Sequence, residues 1–449
     1  MTDTPSRTKS APLTTRPADQ HIAFHDGRRI TVAQFCGQVQ ALAAALPDQP
    51  YAVNLCRDRY PLLVSMCAVM LRGQCNLLPS SRQPSTVREV ADRYSPAYVV
   101  HDAEIDTAGL GAFRIPASAL EPGEPAPAPE IPLDQLGAIS FTSGSTGQSG
   151  ANLKPWRTLF DSTAVNIRYM LGGAAGPHEL LATVPGQHMY GLETSILAPL
   201  QGDICLHTGQ PLFPDDVRAA LERMTAPRVL VSTPLHLRAL LGSELAFPPV
   251  QFVLSATAPL GQELAAAVET RFGASVREIY GCSEAGSLAW RHTAHTQDWE
   301  AFDAFDFRSK GEECTVYADH LPEPVPLQDV LAFSGPRHFT LKGRLSDLVN
   351  VAGKRGSLAA LTELLQDVPG VIDGVVFQPP HENGIGRLAA MVVAPTVSAK
   401  TIAQTFRERV DAALVPRPIV FTDALPRSET GKLPRDKLLA AWRAHRSRS

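Results

Sequence analysis

The chain reads as an α/β protein, with a large N-terminal domain of helix-covered, mostly parallel sheets and a small α+β C-terminal domain. Three observations predict this. Short apolar runs ending in small or polar residues recur with helical patterns between them, the rhythm of β-loop-α units in parallel sheets. The texture changes after Phe339-Thr340-Leu341, where a turn-like stretch leads into a shorter alternation of helices and strands. A length of 449 residues also exceeds what one ordinary core accommodates.

Taken in order, residues 1–18 begin with a run rich in Thr, Ser, Pro and Lys, which predicts a disordered tail. The large domain is expected over 19–343. Apolar residues at helical spacing predict a helix from Ala33 to Leu46, and Pro61 to Leu71 reads as a buried helix. That second run is too short to span a bilayer. Ala97-Tyr98-Val99-Val100 reads as a buried strand. Glu121 to Pro132 holds five prolines among small and acidic residues, which predicts a surface connection.

The recurring units follow. Ala138-Ile139-Ser140-Phe141 leads into Thr142-Ser143-Gly144-Ser145-Thr146-Gly147, and Leu180 to Val184 into Pro185-Gly186-Gln187-His188. Val229-Leu230-Val231 leads into Ser232-Thr233-Pro234, and Phe252-Val253-Leu254 into Ser255-Ala256-Thr257. Val276 to Ile279 leads into Tyr280-Gly281-Cys282-Ser283-Glu284, after a helical pattern from Glu263 to Phe272. Ligands of parallel sheets sit beyond the carboxyl ends of the strands, where these polar segments lie. The link Gly343-Arg344-Leu345-Ser346-Asp347 marks the boundary, and the small domain is expected over 344–449. It should contain a helix from Leu358 to Leu365, strands near Val371 to Phe377 and Leu388 to Val393, and a helix from Ala399 to Leu414.

Composition excludes several classes. Hydrophobic residues at 44% and charged residues at 19% indicate folded globular structure. A formal charge of -4 with dispersed basic residues argues against a nucleic-acid footprint. The seven cysteines form no CxxC pair, so they read as buried thiols of a reducing compartment. The polar N-terminus has no apolar signal-peptide core and no segment is long enough to span a membrane, so a cytoplasmic location is expected.

The loop from Thr142 to Gly147 offers hydroxyls and main-chain N–H groups with few side-chain obstacles, as a polyphosphate requires. It is not a GxxxxGK[ST] loop, and taken alone such a Gly/Ser/Thr loop is more often plain loop. Ser283 and Glu284 place a hydroxyl and a carboxylate just after a strand, suited to an α-phosphate and Mg²⁺. The same pair also suits a helix N-cap with an acidic first turn. Asp329 alone reads as a surface carboxylate, and Lys432, within Ser428-Glu429-Thr430-Gly431-Lys432, as a loop lysine.

Together, in this order and spacing, these segments resemble the AMP-forming acyl-adenylate superfamily of acyl-CoA synthetases, aryl-acid ligases, peptide-synthetase adenylation domains and luciferases. The resemblance runs from about Tyr51 to Trp442. It implies that Thr142, Ser143, Gly144, Ser145, Thr146 and Gly147 hold the phosphates of ATP. It puts Tyr280 and Gly281 beside the adenine, Ser283 at the α-phosphate and Glu284 on magnesium. Asp329 would accept from the ribose hydroxyls and Arg344 complete that contact. Asp347 would be the hinge of a rotating small domain, and Lys432 the lysine that catalyses adenylation. By the same resemblance His188, Tyr190 and Gly191 border the acid pocket on one side, and Ser255, Ala256 and Thr257 on the other.

Two departures stand out. Where the family's loop usually continues Pro-Lys-Gly, this chain has Gln148-Ser149-Gly150; Lys154, four positions beyond, is either a substitute for the missing lysine or a surface lysine. The lysine usual after the hinge is Asn350 here. These departures and the compact length resemble bacterial ligases of aryl-polyene and xanthomonadin-type pigment pathways. That implies adenylation of a small aromatic acid such as 3- or 4-hydroxybenzoate, then transfer to the phosphopantetheine thiol of an acyl carrier protein. The alternatives are a short- or medium-chain acyl-CoA synthetase and a non-catalytic adenylation-fold binding protein. A further one is an amino-acid activator, for which Glu193 is the nearby carboxylate.

Overall fold

Unbroken runs of buried, mostly apolar residues form the central strands, among them Cys75–Leu78, His178–Ala182 and Ile204–His207, as expected where helices cover both faces of a sheet; Asn76, His178, Glu179 and His207 are the buried polar members. The computed structural model describes residues 9–121, 123–142, 150–174, 176–344, 347–351, 354–380, 387–427 and 433–446.

A six-stranded sheet runs in the order Gly150–Pro155, Leu136–Thr142, Cys75–Leu78, Tyr51–Asn54, Ala97–His101, Ala112–Arg114. Only its first pair is antiparallel. An eleven-stranded sheet has a parallel middle, with Ser275–Cys282, Phe252–Ser255, Arg228–Ser232, His178–Ala182 and Ile204–His207 side by side. Beyond Ser275–Cys282 it continues antiparallel to an edge at Asp329–Phe333.

Side-chain alternation divides the core of that middle. Leu180, Ala182, Val229, Val231 and Leu254 pack in one cluster with Trp156, Leu159, Ile196 and Leu197. Leu181, Leu230, Val253 and Val276 pack on the other face against helices Pro214–Arg223, Pro234–Leu241 and Gln262–Phe272. The predicted helix near the N-terminus spans Val32–Ala45, started by a Thr31/Gln34 capping box, and the next, Arg59–Leu71, is buried along nearly its whole length.

The C-terminal residues have cores of their own. Helices Leu358–Gln366 and Ala399–Arg409 cover the three-stranded sheet Asp373–Phe377, Ala389–Val393, Ile419–Phe421. Helix Arg435–Arg446 seats Trp442 edge-on against Phe377. The Arg238 Nη2 guanidinium nitrogen donates to Gln366 Oε1 at 3.2 Å, linking these residues to the eleven-stranded sheet's helices.

Three expectations are corrected. The disordered tail does not extend to residue 18. Ser10–Pro12 pairs with Glu130–Pro132, Leu13 is buried, and Arg16 donates to the carbonyls of Pro199, Ile204 and His21. The buried apolar and guanidinium contacts supply the ordering that a polar composition concealed, while residues 1–8 lie outside the described residues. The proline-rich connection is for the same reason not wholly superficial, since Ile131 is buried. The helix expected to reach Leu414 stops at Arg409, and Asp411 caps a separate short turn at Ala412–Leu414 by accepting from Ala413 N–H at 3.0 Å. The cysteines are free, and buried except for the half-buried Cys282.

Candidate active site

The polar ends of the parallel strands line up across the sheet. Ser232, Ser255 and Glu278 are successive register partners. Thr183 Oγ1 lies 3.0 Å from Ser232 Oγ and 2.8 Å from His236 Nδ1. Glu278 is fully buried, and burial pushes its carboxyl up while Arg291 Nε at 2.7 Å, Thr293 Oγ1 at 2.7 Å and the Leu260 N–H at 3.2 Å pull it down.

One strand outruns the others. Ser275–Cys282 continues past Glu278 and pairs antiparallel with Gly286–Arg291, so Ser283 and Glu284 occupy a hairpin turn. The helix N-cap reading of that pair is thereby overturned. The turn needs glycine at 286, where φ is +80° and an added Cβ would stand 2.2 Å from Glu193 Oε1.

Beside this turn, residues far apart in sequence meet. Tyr280 Oη donates to Asp329 Oδ2 at 2.8 Å, and Arg344 Nε stands 3.4 Å from Asp329 Oδ1. Strand pairing fixes the second contact, because Asp329 and Arg344 are register partners across an antiparallel pair. Tyr280 is wedged against Trp299 and Phe339. Burial, then the Asp329 charge, push its phenol well above the usual tyrosine range, so it stays a donor at neutral pH.

Lys154 is not a surface lysine. It is 1% exposed while its neighbour Leu153 is 54% exposed, the reverse of what hydropathy along the strand suggests. Its Nζ donates to the main-chain oxygen of Glu284 at 2.6 Å. Burial lowers its pKa, opposed by the nearby Glu193, Cys282 and Glu284. Glu193 is equally buried and accepts from Ser287 N–H at 3.0 Å and Ser287 Oγ at 2.6 Å. Engaged there, its carboxylate is not disposed as a counter-charge for a substrate ammonium. Sequence reasoning missed this buried pair and the Glu278–Arg291 pair; the one available signal was a charged residue inside a strand directly after the loop.

The acid-pocket candidates divide. Tyr190 packs between the cluster shared by the two large sheets and the cluster at the antiparallel end of the eleven-stranded sheet, and Ala256 lies in the latter with Tyr280. Gly191 admits no larger residue, since a Cβ would fall 2.1 Å from the Pro185 oxygen. Ser255, alternating with Val253's neighbours, is fully buried toward the opposite, helix-covered face. Thr257 has a left-handed backbone, φ 80°. His188 precedes the short helix Met189–Gly191 and lines a small cavity with Asn54, Leu55, Arg82 and Gln187. Thr142 ends its strand opposite Gly150, and Asp347 is half-buried. Ser143, Gly144, Ser145, Thr146, Gly147 and Lys432 lie outside the described residues.

Glu284 is exposed. Among the described residues no group of three or more His, Cys, Asp or Glu is disposed to hold a metal. A single open carboxylate fits Mg²⁺, which takes one or two carboxylates and completes its shell with water and substrate phosphates.

Residues 12–326 match the model of the AMP-binding enzyme family. The chain belongs to this family. Within it, the chain is 29% identical over 300 residues to a 4-coumarate–CoA ligase of Rhodobacter capsulatus, covering 66% of this chain and 74% of that one. It is 24% identical over 392 residues to a 3-hydroxybenzoate–CoA/4-hydroxybenzoate–CoA ligase of Thauera aromatica, covering 76% and 73%. The fold superposes on ATP-bound MatB from Rhodopseudomonas palustris with a TM-score of 0.80 and 18% identity, covering 95% of this chain and 96% of that one. This member of the AMP-binding family is an AMP-forming ligase. No helix among its described residues is long and apolar enough to cross a membrane.

Proposed function

We propose that this ligase adenylates an aromatic carboxylic acid, 3- or 4-hydroxybenzoate, with ATP and Mg²⁺, and passes the acyl group to the phosphopantetheine thiol of an acyl carrier protein in pigment or aryl-polyene biosynthesis. The observation that carries the nucleotide half is the Tyr280–Asp329–Arg344 assembly beside the Ser283–Glu284 turn. Relatives named as coumarate and hydroxybenzoate ligases support the aromatic acid. Their names also favour CoA as the acceptor, the second reading of the transfer step.

In the first step the acid's carboxylate attacks the α-phosphorus of ATP and pyrophosphate leaves. In the second, a thiol attacks the acyl carbonyl and AMP leaves. Asp329 accepts the ribose hydroxyls with Arg344 closing that side, and Tyr280 and Gly281 flank the adenine. Ser283 donates to the α-phosphate; Thr142 and Ser143 to Gly147 bind the remaining phosphates. Glu284 would hold magnesium, which neutralises phosphate charge when bound. Lys432 meets the charge that develops on the α-phosphoryl oxygens, a role of positioning and electrostatics. Division at 343/344 with a pivot at Asp347 lets the small domain carry Lys432 away before the thiol arrives. Tyr190, Gly191, Ala256 and Thr257 border the ring, with His188 and Ser255 further from it.

ATP–pyrophosphate exchange across a panel of acids tests the first step. Exchange with long-chain acids and none with any hydroxybenzoate sinks the aryl assignment. Intact-mass analysis after incubation with a phosphopantetheinylated carrier protein or with CoA decides the acceptor.

A further inference from the structure

Two buried charges from different elements meet the hairpin turn from beneath. Lys154, on the strand that follows residues 143–149, donates to the Glu284 carbonyl at 2.6 Å. Glu193, on the helical stretch after His188, accepts from the Ser287 N–H and hydroxyl at 3.0 and 2.6 Å. Gly286 leaves the space under the turn to the Glu193 carboxylate.

Stability does not account for this arrangement. Burying an ammonium and a carboxylate carries a desolvation cost, and replacing both members of such a buried pair by apolar residues of similar size is commonly neutral or stabilising. The hairpin's register turns Lys154 inward and Leu153 outward, with exposures of 1% and 54%. What the arrangement secures is the main-chain position of Glu284, whose own side chain remains exposed.

We propose that Lys154, braced by Glu193, is a positioning residue for adenylation: by fixing the Glu284 carbonyl it aims the Glu284 carboxylate at the magnesium of the bound nucleotide. This rests on the role proposed above for Glu284. Lys154 acts through the turn and not by reaching the phosphates itself. Its charge suits the task because a charge-assisted bond to the carbonyl is both shorter and stronger than a neutral one.

The test is titration calorimetry of ATP into the full-length chain, with Mg²⁺ and with EDTA, for the wild type and Lys154→Met. The gain in ATP affinity that Mg²⁺ confers should shrink roughly tenfold in the variant, the scale on which partners behind a metal ligand act. Affinity in EDTA should hold. Lys154→Arg, which returns a cation, should recover most of the gain. An unchanged Mg²⁺ gain in Lys154→Met overturns the proposal, as does an equal loss with and without Mg²⁺. If the methionine variant does not fold, Lys154→Gln, a neutral donor, is read by the same titration with the same two outcomes. A wild-type chain without any Mg²⁺ gain removes the nucleotide reading itself, and this inference with it. Intact Mg²⁺ gain without exchange on any acid refutes only the acid assignment.

Discussion

Asp329→Asn separates the nucleotide contact from the fold. Asparagine keeps the side chain's size and an oxygen for Tyr280 Oη, now 2.8 Å from Oδ2. It removes the charge facing Arg344, whose side chain is 62% exposed, and an exposed pair of this kind contributes ~0–1 kcal/mol. Asp329→Ala is the poorer probe, because it strands a Tyr280 hydroxyl on a residue only 8% exposed, at a cost of about 1–3 kcal/mol. For the nucleotide, two ribose hydroxyls donate to the carboxylate in the proposed reading. A hydrogen bond to a charged acceptor is worth ~1.5–3 kcal/mol against ~0.5–1.5 for a neutral one, so two bonds lose roughly 2–3 kcal/mol. That corresponds to roughly 30- to 150-fold in ATP affinity. The Asp329 side chain is 20% exposed, so water screens part of the effect and the lower end is expected. Steady-state pyrophosphate exchange reads the result as a raised KM for ATP with kcat nearly unchanged, since the ribose does not react. A wild-type KM in Asp329→Asn, or a fall in kcat alone, refutes the reasoning.

Lys432→Ala should lower the exchange rate by about a hundredfold or more while ATP binding and the thermal midpoint stay near wild type; unchanged exchange removes this residue from the mechanism. Gly286→Ala should destabilise strongly, since the left-handed backbone costs about 1–2 kcal/mol and overpacking against Glu193 ~1–3 kcal/mol more. Its urea midpoint is the measurement, and a wild-type midpoint contradicts the close contact. Glu179 gives a pH signature. Burial pushes its carboxyl up, but the His207 ring, Arg29 and the Thr225 N–H outweigh that and hold it at about 2. A depressed carboxyl stabilises the fold above its unfolded value of 4.5, and that contribution fades as pH falls toward about 2. The stability gap between wild type and Glu179→Gln should therefore be full at pH 7 and narrow steadily below about 4.5, whereas a constant gap in urea midpoints would exclude the ion cluster.

The parallel strands were legible because their signal is local. A few apolar residues ending in a polar turn mark a buried strand wherever it sits: Phe252 to Leu254 fall within the strand Phe252–Ser255, and Leu180 to Ala182 within His178–Ala182, which begins two residues before the apolar run and ends short of Val184. Boundaries failed where a neighbour from elsewhere intervened. Leu13, buried with its N–H on the Pro129 carbonyl, and Arg16, bonded to the carbonyls of Pro199 and Ile204, order the N-terminal segment through partners that no local window contains. Ser283 and Glu284 were found, but their hairpin depends on Gly286–Arg291 returning beside Ser275–Cys282, and the short sequence between them suits a helix start equally well.

By itself the sequence determined the α/β class, the order of the polar segments at the strand ends, and the ordered motifs that mark a nucleotide-using ligase. Those properties follow from short-range patterning and from residue types that chemistry requires at given places. Only the tertiary structure decided that Tyr280, Asp329 and Arg344 form one cluster, that Glu193 answers Ser287, and that Lys154 points inward beneath Glu284. Each depends on strand register and on the dielectric of a site assembled from distant segments. A buried ammonium and an exposed leucine side by side cannot be told from their opposite until the partner strand and the carbonyl above it are in place.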